Sequence, residues 1–70
     1  INKPGIVSVI IFDILGKEVR TLFNGYCQSG SKVISWDGKD FSGKNMGAGM
    51  YIYQLETKDA RISKKMVLIK

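Results

Sequence analysis

The stretch Ile6-Val-Ser-Val-Ile-Ile-Phe12 decides the fold of this chain. Most of its side chains are β-branched, which favours extended backbone, and the run is too short for a free-standing helix. In a strand, Val7, Val9 and Ile11 share one face. Ile10 points to the other face, so the strand is apolar on both sides. Such strands are usually covered on both faces, and we expect this one to lie in the interior of a sheet.

Turn signals bound this segment on both sides. Pro4-Gly5 precedes it, and Asp13 to Gly16 follows it as a tight turn in which Gly16 suits a positive φ. Short runs of apolar residues then alternate with Gly, Asn, Asp and Ser, a pattern typical of short strands and turns. It predicts four further strands, at residues 17–23, 32–36, 50–56 and 61–69. Between them it predicts breaks at residues 24–25 and 28–30, a glycine-rich loop at residues 37–49 and a polar turn at residues 57–60.

The segment Met50 to Glu56 shows the clearest period of two. Tyr51, Tyr53 and Leu55 share one face of this predicted strand, opposite Ile52. Five or six short strands without a convincing helix predict an all-β fold, a small antiparallel sandwich or barrel.

Length and composition set the limits on this fold. The chain has 70 residues, which is the size of one small domain spanning residues 1–70. Because it begins at Ile1, we expect it to be a fragment or a processed part of a longer protein. With one cysteine and no histidine, it has neither an internal disulfide nor a Cys/His zinc site to stabilise it.

The charges do not form a pattern that points to a special partner. The net charge is +5, but the eleven lysines and arginines are scattered, so we expect no nucleic-acid partner. No apolar run approaches the roughly 20 residues that span a bilayer, and the first residues lack the features of a signal peptide.

No set of residues points to catalysis. Histidine, the commonest general base, is absent, and the carboxylates fall mostly in or beside turns. A pair of catalytic carboxylates needs a cleft, which a sandwich of this size hardly provides. The sequence predicts a protein that is not an enzyme and needs no cofactor.

The glycine-rich loop contains the candidate metal ligands. Asp37, Asp40 and Asn45 carry side-chain oxygens of the kind that calcium prefers, with Ser42 between them. Their spacing does not fit an EF-hand. We therefore favour turn chemistry, in which these side chains accept hydrogen bonds from nearby backbone N–H groups, and calcium binding is the alternative.

Three aromatic residues have two interpretations each. Trp36 shares strand parity with Ile34 and is expected to anchor the core, with ligand stacking as the alternative. Tyr51 and Tyr53 are expected on a half-buried strand face, with a carbohydrate-stacking stripe as the alternative.

Cys27 and the C-terminal lysines also have two interpretations. Cys27 is expected to be a small buried apolar residue, although a lone cysteine can cross-link two chains. Lys64 and Lys65 point to opposite faces of their strand. With Lys70, they are expected to stay solvated and to block unwanted pairing at a sheet edge, and binding of an acidic partner is the alternative.

Four motifs together resemble a known bacterial family. Residues 11–19, Ile-Phe-Asp-Ile-Leu-Gly-Lys-Glu-Val, resemble its "IYD-x-x-G-R-x-V" segment, and residues 36–44 resemble its "W-D-G-x-D-x-x-G-x" loop. Residues 49–55 resemble "G-x-Y-x-Y-x-L", and residues 65–70 resemble the ending "K-M-V-L-x-K". The residues that carry the match are Asp13, Gly16, Trp36, Asp37, Gly38, Gly43, Gly49, Tyr51, Tyr53, Lys65 and Met66.

The family comprises the FlgD-like Ig-like domain of the flagellar hook-capping protein and the related C-terminal domains that act as type IX secretion sorting signals. The resemblance implies an immunoglobulin-like sandwich on a secreted or cell-surface bacterial protein. It also implies a non-catalytic structural role in secretion sorting, surface attachment or assembly. The expected partners are proteins, the secretion machinery or a cell-surface polysaccharide, and a carbohydrate-binding accessory domain of a secreted enzyme is an alternative.

One departure from the family pattern concerns the first strand. Family members usually have another strand before Ile6, of which only residues 1–5 remain here. We therefore expect the sandwich to lack its first strand within this chain, which leaves a sheet edge open as a template for another chain. A strand donated by another copy would make the chain a subunit of an extracellular filament. The plainer alternative is that this strand lies upstream in the parent protein.

Overall fold

A computed structural model describes residues 4–28 and 34–69, and they form one antiparallel β-sheet. Its strands are β1 (Gly5–Phe12), β2 (Glu18–Cys27), β3 (Gly49–Glu56) and β4 (Arg61–Leu68), in the spatial order β2-β1-β3-β4. The all-β, antiparallel fold class predicted from the sequence is confirmed. The described residues contain no helix, and hence none that is long and apolar enough to cross a membrane.

Strand β1 is the centre of the structure. It pairs with β2 on one side and with β3 on the other, as its two apolar faces predict. Val7, Val9 and Ile11 point to the core face and are almost completely buried, and Ile11 is only 1% exposed. The apolar run that dominates the sequence therefore supplies the middle of the core.

The predicted turn at Asn24-Gly25 is wrong. Both residues lie inside β2, where Asn24 pairs with Ser8 and Gly25 pairs with Val7. An Asn-Gly pair favours a tight turn locally. Here the backbone hydrogen bonds and the side-chain contacts of a full-length pairing with β1 outweigh that preference, so the strand continues to Cys27.

The predicted strand at residues 32–36 is not found in its described part. Residues 34–36 belong to no strand of the sheet, while Lys32 and Val33 lie outside the described residues. Ile34 and Trp36 instead pack their side chains onto the core face. The four described strands thus correspond to part of a small Ig-like sandwich, with a loop segment as the second layer over the core.

The core consists of two adjoining clusters on one face of the sheet. Val7, Val9 and Cys27 form the first, with Leu22, Phe23, Ile34 and Leu55 packed around them. Ile11, Val19 and Tyr51 form the second, which Trp36, Met46, Tyr53, Met66 and Leu68 cover. Since so few side chains are fully buried, each of them contributes a large share of the stability of the fold.

Candidate functional site

The Asp13–Lys17 turn between β1 and β2 is built by its own sequence motif. One carboxylate oxygen of Asp13 accepts hydrogen bonds from the backbone N–H groups of Leu15 and Lys17, each at 2.9 Å. Gly16 has a φ of 86°, which glycine adopts without steric cost, and its N–H donates to the Asp13 carbonyl at 3.0 Å. Asp13 and Gly16 therefore have a structural role in this turn.

A second carboxylate begins the loop that lies over the core. Asp37 Oδ1 accepts a hydrogen bond from the Lys39 backbone N–H at 3.0 Å and an ion-paired hydrogen bond from the Arg20 guanidinium. The indole N–H of Trp36 donates to the Lys39 carbonyl at 2.9 Å. These bonds tie the start of the loop to β2.

A third carboxylate closes the same loop at its tip. Asp40 Oδ1 accepts hydrogen bonds from the Ser42 N–H at 2.9 Å, the Ser42 hydroxyl at 2.8 Å and the Lys44 N–H at 3.0 Å. The backbone of Asp40 pairs with Lys44, and Lys39 forms a bridge with Asn45. Gly43, with a φ of 85°, makes the tight turn possible.

The hydrogen bonds in this loop set the acidity of both carboxyls. The hydrogen bond from Arg20, followed by that from the Lys39 backbone, lowers the pKa of Asp37 below its usual value of 3.8. Hydrogen bonds from the Ser42 hydroxyl and then from the Lys44 backbone lower the pKa of Asp40 in the same way. Both groups are therefore ionised acceptors at neutral pH.

Two of the three candidate calcium ligands accept hydrogen bonds within the loop. Asp37 and Asp40 accept hydrogen bonds from loop N–H groups, and Asn45 lies in the backbone bridge with Lys39. Among residues 4–28 and 34–69, no three acidic, cysteine or histidine side chains come together as a metal site. Calcium binding in this loop stays an untested prediction.

The family-motif aromatics anchor the loop to the sheet. Trp36 meets Tyr51 edge to face, with their ring centroids 5.1 Å apart. The Tyr51 hydroxyl donates to the Gly47 carbonyl at 2.7 Å, and its side chain is buried at 7% exposure. Tyr53 packs against the same cluster. These rings contribute to the core, which leaves Tyr51 little surface for stacking on a sugar.

Most of the remaining motif residues also belong to the framework. Gly38 is a buried residue of the loop, Gly49 begins β3, and Met66 covers the second core cluster. Lys65 lies opposite Ile52 in the β3–β4 pairing and is exposed. Cys27 is buried in the first cluster, which confirms the expected small apolar role.

Arg20 is the residue that the sequence analysis did not single out. Its partner Asp37 is 17 positions away, and no local pattern links a strand arginine to a distant loop carboxylate. Arg20 pairs with Ile11 and Glu18 pairs with Phe12, so Val19 is an extra residue in β2 at this point. Arg20 therefore lies on the same face as the buried Ile11, at the side of the core.

The outer face of the sheet carries an open depression of about 450 Å³. Its lining includes Ser8, Thr21 and Asn24, together with a single carboxylate, that of Glu56, which is ion-paired with Arg61. A single acid in an open depression does not supply the pair of converging carboxylates that hydrolysis of a glycosidic bond requires.

The two ends of the sheet are its edges, β2 and β4. Two register shifts interrupt the pairing of β2 with β1, whereas β4 pairs with β3 through eight consecutive residues without a shift. Within the part of the chain that the structure describes, neither outer edge is paired with a further strand. These edges are the surfaces at which strand addition is possible.

Comparison with known proteins identifies one family. A family model described as the FlgD Ig-like domain matches residues 5–61, which includes β1, β2, the Trp36 loop and β3. Comparisons with curated proteins and with solved structures found no match.

Proposed function

Since the chain belongs to the FlgD Ig-like domain family, we propose that it serves as an interaction module of a bacterial protein that is secreted or held at the cell surface. The family is one of non-catalytic structural domains. The finer role that we propose is secretion sorting, surface attachment or assembly, in which partners bind through strand pairing and surface contact.

One observation supports this proposal above the others. Apart from the exposed Lys65, the family-motif residues described above build turns or pack the core, as Asp13, Trp36 and Tyr51 do. Because these motif residues specify the framework, we expect partners to bind at the sheet edges and at the outer face. Function then lies in contacts between this framework and other chains, rather than in a cleft.

Fusion to a reporter tests the sorting role. The chain is placed at the C-terminus of a periplasm-directed reporter in a bacterium that has type IX secretion. We expect the reporter to reach the medium or the cell surface. A fusion with Trp36→Ala, which removes the central contact of the loop with Tyr51, is expected to remain in the periplasm. Retention of the unaltered fusion in the periplasm would rule out sorting.

Strand donation between copies is the second candidate function. The unpaired outer edges of β2 and β4 favour it within the described residues. Sedimentation and electron microscopy of the purified chain test it. Filaments that grow with concentration support assembly by strand donation, whereas a monomer at all concentrations contradicts it.

A further inference from the structure

We propose that β4 is the docking edge of this module and that its occupant is an extended, acidic strand of a partner chain. This inference rests on the proposed interaction role and adds the edge and the chemistry of the partner. The regularity, the exposure and the charge of β4 each support this choice of edge.

The regularity of the two edges differs first. β2 departs from regular pairing twice, between Val9 and Ile10 and between Ile11 and Phe12 of its partner. Such bulges twist an edge strand and interrupt its row of N–H and C=O groups, which protects it from pairing. β4 has no such shift over residues 61–68 and presents a straight edge about 26 Å long.

The exposure of β4 is the second feature. The loop contacts both edge strands, since Arg20 of β2 bonds to Asp37 and to the Lys39 carbonyl, and Gly38 lies close to Leu68 at the end of β4. Residues 61–65 of β4 are all exposed. Along residues 61–65 of β4, an incoming strand therefore meets little obstruction from the described residues.

The charges of β4 select the chemistry of the partner. The strand reads Arg-Ile-Ser-Lys-Lys-Met-Val-Leu and has no acidic residue. Lys64 and Lys65 lie opposite Tyr53 and Ile52, so they project to opposite faces. Neither lysine has an ion-pair partner among the described residues, and Arg61 is held by Glu56. A strand with carboxylates near this pair gains attraction on both faces.

Self-pairing of β4 is disfavoured by the same charges. Antiparallel pairing of two copies about the centre of β4, with their core faces on the same side, would place Lys64 opposite Lys64 or Lys65 opposite Lys65. Like charges directly opposite one another destabilise a strand pair. Ile62, which is 46% exposed, lies on the core face opposite Leu55 and would be covered by an apolar residue of the incoming strand. The preferred occupant therefore carries two adjacent acidic residues, one for each face, and an apolar residue opposite Ile62.

Peptide titration of the whole isotope-labelled chain tests this proposal. The probe is a capped octapeptide with two adjacent central glutamates among valines and threonines, and the matched probe has lysines in place of the glutamates. We expect the acidic peptide to shift backbone amide signals of residues 61–68 and to leave those of residues 18–27 unchanged. The lysine peptide is expected to bind at least about tenfold more weakly.

Charge-reversal variants locate the site. Lys64→Glu with Lys65→Glu should weaken binding of the acidic peptide by at least about tenfold. Lys17→Glu with Lys44→Glu changes the net charge equally at exposed positions away from β4 and should leave binding nearly unchanged. If the first variant does not fold, a fall in the affinity of the unaltered chain with added salt provides the second measurement.

Several outcomes would overturn the assignment. Signals that shift in β2, equal binding of both peptides, equal loss in both variants, or no binding at all each contradict an acidic partner at β4. Concentration-dependent shifts of β4 without peptide would show pairing with a second copy instead. These tests can fail while the reporter is still exported or filaments still form. In that case the proposed interaction role stands, and only the assignment of β4 as the docking edge is wrong.

Discussion

Gly38 is a point at which the loop carrying Trp36 lies close to the sheet. Its φ of 78° lies in the left-handed region, and a Cβ atom there would lie 3.4 Å from Leu68 Cδ1 and 3.5 Å from Leu68 Cδ2. Its carbonyl also accepts a hydrogen bond from the Met46 N–H at 2.8 Å. A side chain at this position would strain the backbone, while its Cβ would meet Leu68 at ordinary van der Waals distance.

Replacing Gly38 by alanine should lower the free energy of unfolding. A left-handed alanine costs about 1–2 kcal/mol, and we expect Gly38→Ala to lose that amount. Gly47→Ala is the matched control, because Gly47 has no positive φ and a Cβ there meets nothing within 4 Å. Urea unfolding followed by tryptophan fluorescence measures both variants, and equal midpoints would contradict the strain argument.

The Trp36 loop, residues 36–46, depends on ionised carboxylates more than any other element described. Its start is held by the bonds to Asp37 and its tip by the bonds to Asp40. Protonation removes the charge that strengthens these hydrogen bonds. The loop should therefore loosen in acid before the strands separate.

The pH dependence of this loop follows from the lowered pKa values. The folded-state pKa of Asp37 and of Asp40 lies below 3.8, so each contributes stability that is complete above 3.8. That contribution is lost as the pH falls from 3.8 through the folded-state pKa. We expect the fluorescence of Trp36 to change in this window, and a variant with Asp37→Asn and Asp40→Asn to lack that transition. An unchanged titration in the variant would assign the transition to other groups.

Across the whole molecule, the core depends on one face of a single sheet. Val7, Val9 and Cys27 join β1 and β2 at one end, while Ile11, Val19 and Tyr51 join three strands at the other. Because the two clusters share β1, loss of that strand removes both. Cooperative unfolding of the sheet as one unit is therefore expected.

The thiol of Cys27 reports this cooperativity. Its side chain is 6% exposed, so reaction with a thiol reagent should be at least about a hundredfold slower than in the unfolded chain. In urea, the rate should rise together with loss of the circular dichroism signal of the sheet. Tyr26→Cys combined with Cys27→Ser is the control, since position 26 is 62% exposed and should react at once. Fast labelling of native Cys27 would show that this end of β2 opens independently.

The sequence by itself determined the parts of this protein that depend on neighbouring residues. The β-branched run at residues 6–12, the alternation at residues 50–56 and the apolar residues of 61–69 placed β1, β3 and β4 within a residue or two. The Asp13–Gly16 turn and the position of Trp36 in the core also followed from local chemistry. These features were predictable because the period of two and the preferences of turn residues act over a few positions.

The tertiary structure alone decided the features that join distant segments. Because β2 pairs with β1 along its length, it continues as a strand through Asn24-Gly25. Residues 34–36 pack on the sheet and belong to no strand. The contact between Arg20 and Asp37, and the order that leaves β4 at an edge, depend in the same way on the folded chain. The physical reason is that strand order and register are set by hydrogen bonding and burial summed over whole segments, and these sums outweigh a turn preference of two residues.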